Sequence, residues 1–509
     1  MIVLHRVSGL TLVAVVFLGS AMPLAQPYDL AILNGRVVDP ETGLDAVKNV
    51  GIANGRIEVV TDGAIHGAKV IDATGLVVAP GFIDLHSHGA LSEANQAFQL
   101  RDGVTTTLEL EAGVRELPEV ARGAARLINF GASAGYLNAR METLDGLTSR
   151  HLSDTEGSSF IGLHGFWSLV KYQLGISLRV TEGAATDEEI DGNHEILEQE
   201  IARGALGVGF LLDYMSDGIA PREVERLFDW AGARDQVIFV HMRRMPVAGD
   251  PSALRRLLTL AERSGAGLHV CHITSAATRN IAGFLKRIRD ARDRGVDVTT
   301  ETYPYWAGST FIAAQVFDRD WQQTFGTSYQ DIEYPETGER LTKARFEQLR
   351  SKRPDAVVIH HYNQERWVTP AVVAPGVIIA SDAMHKAAPD DAVHPRSAGT
   401  FSRVIGRYVR EDGLLSLMEA LGKMTLLPAR RMEPLADAFE RKGRIQVGMD
   451  ADLTLFDLGK IIDQATYNSP NRPSTGVEYV VVNGRVALNR GQLSVERQGR
   501  WLKGNESNR

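Results

Sequence analysis

The chain has 509 residues, 44% of them hydrophobic and 23% charged, with a formal net charge of -8. That make-up suits a globular protein with a large core and one or two appended lobes, and it excludes a fibrous or disordered chain. The acidic balance leaves no broad basic face, which excludes nucleic acid and argues against an anionic membrane surface as partner.

In chain order, residues 1–25 come first, with Arg6, an apolar stretch from Leu10 to Leu18 and then small residues. This is the pattern of a cleaved secretory leader, with a break after Ala21 or Ala25. The stretch is far short of the roughly 20 residues that span a bilayer, so the mature chain is expected to be periplasmic or secreted, without a permanent membrane span. From 27 to 78, short Val/Ile/Leu runs alternate with Asn-Gly and Asp-Gly turns, and the same texture returns over 436–509. Two halves of one small β-sandwich domain, separated by the middle of the chain, account for both.

The middle, 79–435, is different. Apolar runs in "PGFIDLHSH", "GVTTTLELE", "LINFGASAG", "GALGVGFLL", "QVIFVHM", "AGLHVCHIT", "GVDVTTETY" and "GVIIASD" are separated by helical stretches. One helix is legible in detail: Pro251 opens it, Leu254, Leu257, Leu258 and Ala261 share a face, and Gly265 stops it. Eight such strands predict an α/β protein of the (β/α)8 TIM-like barrel class. The tract from about 307 to 375 is too long for a simple loop and reads as a lid-like insertion after strand 7. The long connection from about Met141 to Ile201 has no clear pattern.

Polar residues gather where these strands end. His86 and His88 close the first strand, two positions apart, so an extended backbone points both imidazoles the same way. Glu109 and Glu111 end the second, His241 the fifth, His272 the sixth and Asp382 the eighth. All lie at the C-terminal pole, where barrel enzymes keep their chemistry. Four imidazoles with two or three carboxylates suit a borderline divalent cation such as zinc. Cys271, the chain's one cysteine, precludes an internal disulfide. Strand alternation turns it away from His272, so inert packing is expected rather than a nucleophile.

These motifs resemble the amidohydrolase superfamily and, within it, the N-acyl-D-amino-acid deacylase (D-aminoacylase) family. The resemblance is carried by "PGFIDLHSH", "GVTTTLELEAG", "VCHIT", "YPYWAGST", "IIASD" and above all "HPRSAGTFSRVIGRYVRE". It implies that His86 and His88 hold one metal position, that His241 and His272 hold the other, and that Asp382 is the catalytic base. One or two Zn2+ ions are implied as cofactor. The family's bridging cysteine is replaced here by Ala112, so Glu111, nearer the mouth, is the expected bridging ligand, with Glu109 the alternative. No lysine lies in "GALGVGFLL" to serve as a carboxylated bridge, and Lys171 lies in the unplaced connection. Where the family commonly has a lysine after strand 6, this chain has Thr274.

The implied reaction is metal-dependent hydrolysis of an amide bond, most directly deacylation of a small N-acyl-D-amino acid. The alternative is another carboxylate-bearing amide, a cyclic amide or a dipeptide; a non-catalytic binding protein would have no need of four histidines and an aspartate together. A substrate carboxylate calls for a guanidinium, for which Arg396 and Arg403 are the first choices, ahead of Arg243 or Arg244. Tyr303 and Ser309 are expected to line the pocket. His164, His360, His361, His385 and His394 receive no role.

Overall fold

A computed structural model describes residues 28–124, 126–146, 179–216 and 218–505. The leader-like segment, His164 and Lys171 lie outside these residues. The eight expected strands form the barrel: β1 (Phe82–Asp84), β2 (Val104–Val114), β3 (Asn129–Gly135), β4 (Val208–Phe210), β5 (Val237–Val240), β6 (Gly267–Val270), β7 (Val298–Thr302) and β8 (Val377–Ile379). Each pairs in parallel with the next. Nearly every residue in them is buried, because the barrel interior covers one face and helices cover the other. That is why these strands read as near-continuous apolar runs.

The seam between β1 and β8 has no continuous ladder; a side-chain clamp and a single backbone bridge close it just past the strand ends. Asp84 accepts hydrogen bonds from Ser381 N (2.9 Å) and Ser381 Oγ (2.5 Å), and His88 N donates to Ala383 O (2.9 Å). Burial pushes the Asp84 carboxyl up to about 6, against the opposing pull of those Ser381 bonds. The clamp draws the C-terminal ends of the first and last strands together, and both ends carry site residues.

Strands from the two chain ends join in one nine-stranded sheet. Leu453–Phe456 runs antiparallel to Val77–Pro80, which in turn pairs with Tyr28–Asp39. Two of the Asn-Gly pairs make tight hairpin turns, Asn54 and Gly55 with φ of 52° and 79° and Asn483 and Gly484 with 50° and 80°, whereas Asn34-Gly35 lies within the strand Tyr28–Asp39 at a break in its register. The helix read from sequence spans Ser252–Ser264, with Pro251 as its cap, Gly265 at φ 77° ending it, and Leu254, Leu257, Leu258 and Ala261 buried.

After β7 the chain builds a separate antiparallel sheet from Gly308–Phe311, Val357–His360, Ile332–Tyr334 and Glu339–Arg340. It has its own core around Phe317, Trp321, Ile332 and Phe346. The helix Glu365–Val373 then returns to the barrel beside β8. Among the described residues, no helix is long and apolar enough to cross a membrane.

Between the helices Asp187–Ala202 and Pro221–Gly232, His194 stacks on Trp230 with ring centroids 5.5 Å apart. Its Nε2 has no hydrogen-bond partner among the described residues. Burial, aided by Arg226 and Arg234 against Asp191 and Glu198, lowers its pKa from 6.5 to about 4. Between those two values the unfolded chain binds the extra proton, so stability falls as pH falls through that window. His194→Phe is therefore expected to lose less melting temperature than wild type between pH 7 and pH 4.5, by roughly 2 °C in calorimetry. An identical pH profile for the two proteins would count against this account.

Candidate metal centre

Strand ends deliver the candidate metal ligands to one point. His86 and His88 follow β1, and their Nε2 atoms lie 3.4 Å apart. His241 directly follows β5 and His272 comes two positions after β6; His241 Nδ1 and His272 Nε2 are 3.1 Å apart. Glu111, on β2, lies between the pairs. Its Oε2 is 3.3 Å from His86 Nε2 and 3.6 Å from His88 Nε2, while its Oε1 is 3.1 Å from His241 Nδ1 and 2.7 Å from His272 Nε2. One carboxylate thus offers an oxygen to each histidine pair. Asp382 Oδ1 is 3.5 Å from both His86 Nε2 and His88 Nε2.

This donor set fits a metal. Bonds of 2.0–2.1 Å in a tetrahedron place neighbouring ligand atoms about 3.4 Å apart. His86 Nε2 and His88 Nε2 lie 3.3 to 3.6 Å from each other, from Glu111 Oε2 and from Asp382 Oδ1. The group of His241, His272 and Glu111 Oε1 supplies three donors, which leaves a fourth tetrahedral position for water or substrate. Burial opposes the charge on Glu111, but His86, His272 and His241 hold its carboxyl well below the usual range. Burial likewise works against a charged His86, and the carboxylates of Glu111, Asp382 and Glu301 outweigh it, raising that imidazole well above its usual value. So much negative charge around buried imidazoles is the field a cation needs.

The far nitrogens are held by carboxylates beneath. Glu109 Oε2 is 3.2 Å from His88 Nδ1, so the two β2 glutamates divide the work by depth: Glu111 reaches the mouth and Glu109 orients a histidine from one layer below. Glu301, on β7, sits 2.5 Å from His86 Nδ1 and 3.2 Å from His269 Nε2. Sequence reading gave Glu301 no part; its signal was a lone carboxylate near the end of a buried strand. Two residues of this set have left-handed backbones, His272 at φ 27° and Asp382 at φ 50°. Strain of this kind collects where side chains are aimed for function.

Above the centre is a pocket open to solvent, reached by His88, Glu111, His241, His272, Asp382 and Arg396 from the barrel, together with Tyr303 and Ser309. Arg396 Nη2 is 2.9 Å from Asp382 Oδ1, its Nε donates to Asp382 O (2.6 Å), and its guanidinium stacks over Tyr303. Arg403 requires a correction. It pairs with Asp463 at 2.9 Å and donates to Pro304 O (2.9 Å), tying the barrel to the C-terminal segment, and it does not line the pocket. Arg243 donates to Ser216, whereas Arg244, given lower rank by sequence, is in the pocket wall. His360 and Tyr362 reach the pocket from the edge of the inserted lobe. His361 pairs with Glu333 (2.9 Å), and His394 bridges Ala307 O and Arg396 N. His385 has its pKa lowered to about 4 by burial, against the pull of Asp391. Cys271 is buried with Leu85, Leu108 and Phe239, its sulfur also close to His86 and Glu301, and burial together with the nearby carboxylates pushes its thiol well above the usual range.

A parallel eight-stranded barrel with two histidine pairs and a shared carboxylate at its C-terminal mouth defines a metal-dependent hydrolase. Comparison with known proteins agrees. The amidohydrolase family description matches residues 69–147 and 274–488. The N-acyl-D-glutamate deacylase of Alcaligenes xylosoxydans xylosoxydans is 30% identical over 495 residues, covering 94% of this chain and 97% of the relative. The D-aminoacylase of the same organism is 27% identical over 501 residues, covering 94% and 98%. Among solved structures, N-acyl-D-glutamate deacylase from Bordetella bronchiseptica, complexed with zinc and a phosphonate inhibitor, superposes with a TM-score of 0.75 at 24% identity, covering 94% of this chain and all of that one. The chain belongs to the amidohydrolase family.

Proposed function

We propose that this enzyme hydrolyses the amide bond of N-acyl-D-amino acids, releasing a carboxylate and the free amino acid, with zinc at the centre described above. The observation that carries the reading is the Glu111 carboxylate divided between two histidine pairs, with Asp382 beside one of them. The substrate class is supported by the names of the two deacylase relatives, which align over almost the whole chain.

A divalent ion bound there supplies a Lewis acid that makes water nucleophilic near neutral pH and polarises an acyl carbonyl. The chain's own residues do the remainder. Asp382 takes the proton from the attacking water and passes it to the amide nitrogen, so that the nitrogen leaves as an amine when the C–N bond breaks. Arg396 holds Asp382 by its Oδ1 and its backbone oxygen, fixing the direction of that transfer. Glu301 and Glu109 hold the Nδ1 sides of His86 and His88 and so keep both Nε2 atoms facing the centre.

The test is a panel of N-acyl-D- and N-acyl-L-amino acids, with cyclic amides alongside, assayed on enzyme of measured metal content. Release of free D-amino acid is expected, with activity lost on chelation and restored by zinc. Turnover confined to the cyclic amides would overturn the deacylase reading.

A further inference from the structure

We propose that His269, one layer below the metal centre, is a positioning residue: it holds Glu301 against His86 and so fixes the imidazole face that His86 turns to a metal. The proposal rests on the reading of this site as a metal centre and adds the group that sets one of its ligands.

The strand ladder brings these groups together. β6 and β7 run in parallel with His269 opposite Thr299, and Glu301 stands two positions further along β7, on the same face. From there Glu301 reaches both ways. Its Oε1 is 2.5 Å from His86 Nδ1 and 3.5 Å from the backbone nitrogen of His272, so it touches one member of each histidine pair. Its Oε2 is 3.2 Å from His269 Nε2, which among the described residues is that oxygen's one hydrogen-bond partner. His269 Nδ1 lies in turn 2.8 Å from Thr299 Oγ1.

Hydrogen-bond chemistry gives this row its direction. An ionised carboxylate only accepts, so both imidazoles donate to Glu301. His86 thereby carries its proton on Nδ1 and keeps a lone pair on Nε2, the atom that faces His88, Glu111 and Asp382. For neutral His269 to donate from Nε2 its Nδ1 must accept, and the Thr299 hydroxyl is the donor beside it. Glu301 and His269 are each 1% exposed, so bulk water does not hold Oε2 in place of the ring. The Phe239 ring, with its centroid 5.4 Å from that of His269, packs against the imidazole and limits its rotation. Without His269, Oε2 is a buried acceptor left unpaired, and the carboxylate is free to swing off His86. His269 does not line the pocket above the centre, so it acts through Glu301 and not on a ligand.

The experiment measures zinc affinity by chelator competition on wild type, His269→Leu, His269→Gln, Thr299→Val and Glu301→Ala, with melting of the metal-free proteins as the check on folding. His269→Leu is expected to weaken at least one zinc-binding step roughly 10-fold, the lower end of what losing support behind a ligand costs. Glutamine can donate from the place of Nε2, so His269→Gln is expected to stay within about threefold of wild type. Glu301→Ala is expected to lose roughly 100-fold. Adding His269→Leu to it should cost less than about twofold more, because the imidazole then has nothing to hold. An unchanged affinity in folded His269→Leu, an equal loss in His269→Gln, or a full further loss in the double variant overturns the positioning role and leaves the metal centre and the deacylase reading standing. Should His269→Leu fail to fold, Thr299→Val decides: a loss of roughly threefold is expected from removing the donor to Nδ1, and no loss overturns the proposal. If wild type binds no zinc, the metal-centre reading falls and takes this proposal with it.

Discussion

Asp382→Asn is expected to lower kcat by roughly three to four orders of magnitude while the protein folds and still binds metal. Asparagine has nearly the same shape and, like aspartate, tolerates the left-handed backbone at this position, where φ is 50°. The contact to Arg396 Nε survives because it uses the backbone oxygen of residue 382. What is lost is the ability to accept a proton from water and return it to the leaving nitrogen. The His241, His272 and Glu111 position does not use Asp382, so metal there is retained. Steady-state kinetics paired with metal analysis tests this, and near-normal turnover in the folded, metal-loaded variant would refute the assignment of the base.

The second large effect separates the two glutamates of β2. Glu111→Ala removes one donor from each histidine pair and leaves four imidazoles crowded without the anion that lies between them. Retained metal after dialysis is expected to drop to a small fraction of the wild-type content, with activity lost in proportion. Glu109→Ala removes only the partner of His88 Nδ1, and losing a group that orients a ligand costs roughly 10- to 100-fold in metal affinity. Metal content of the two variants, measured after identical dialysis against a chelator, should therefore rank Glu109→Ala well above Glu111→Ala. The opposite ranking would give the bridging position to Glu109.

Much of the framework was legible because it depends on local pattern. Each barrel strand announced itself as a buried apolar run, the helix at Ser252–Ser264 by its spacing and its glycine stop, and the hairpins at Asn54 and Asn483 by residues that accept positive φ. The His-x-His pair and the polar residues at strand ends were legible for the same reason, since strand periodicity tells which side chains share a face.

Periodicity does not tell depth or partner. Glu109 and Glu111 share a face of β2, and only the folded barrel shows that one reaches between the histidine pairs while the other stops beneath them. Nor could spacing foresee that Asp84 clamps Ser381 across nearly three hundred residues, or that Glu301 supports His86. The arginines show the same limit: sequence ranked Arg403 ahead of Arg244, but Asp463 holds the first away from the pocket while the second stands in the pocket wall. The sequence by itself determined the barrel, the sheet from the chain ends and the residues able to hold a metal, because these follow from hydrophobic period and donor chemistry. Tertiary structure decided between Glu111 and Glu109 for the place between the histidines and showed which guanidiniums line the pocket, because pairing depends on distances between residues remote in the chain.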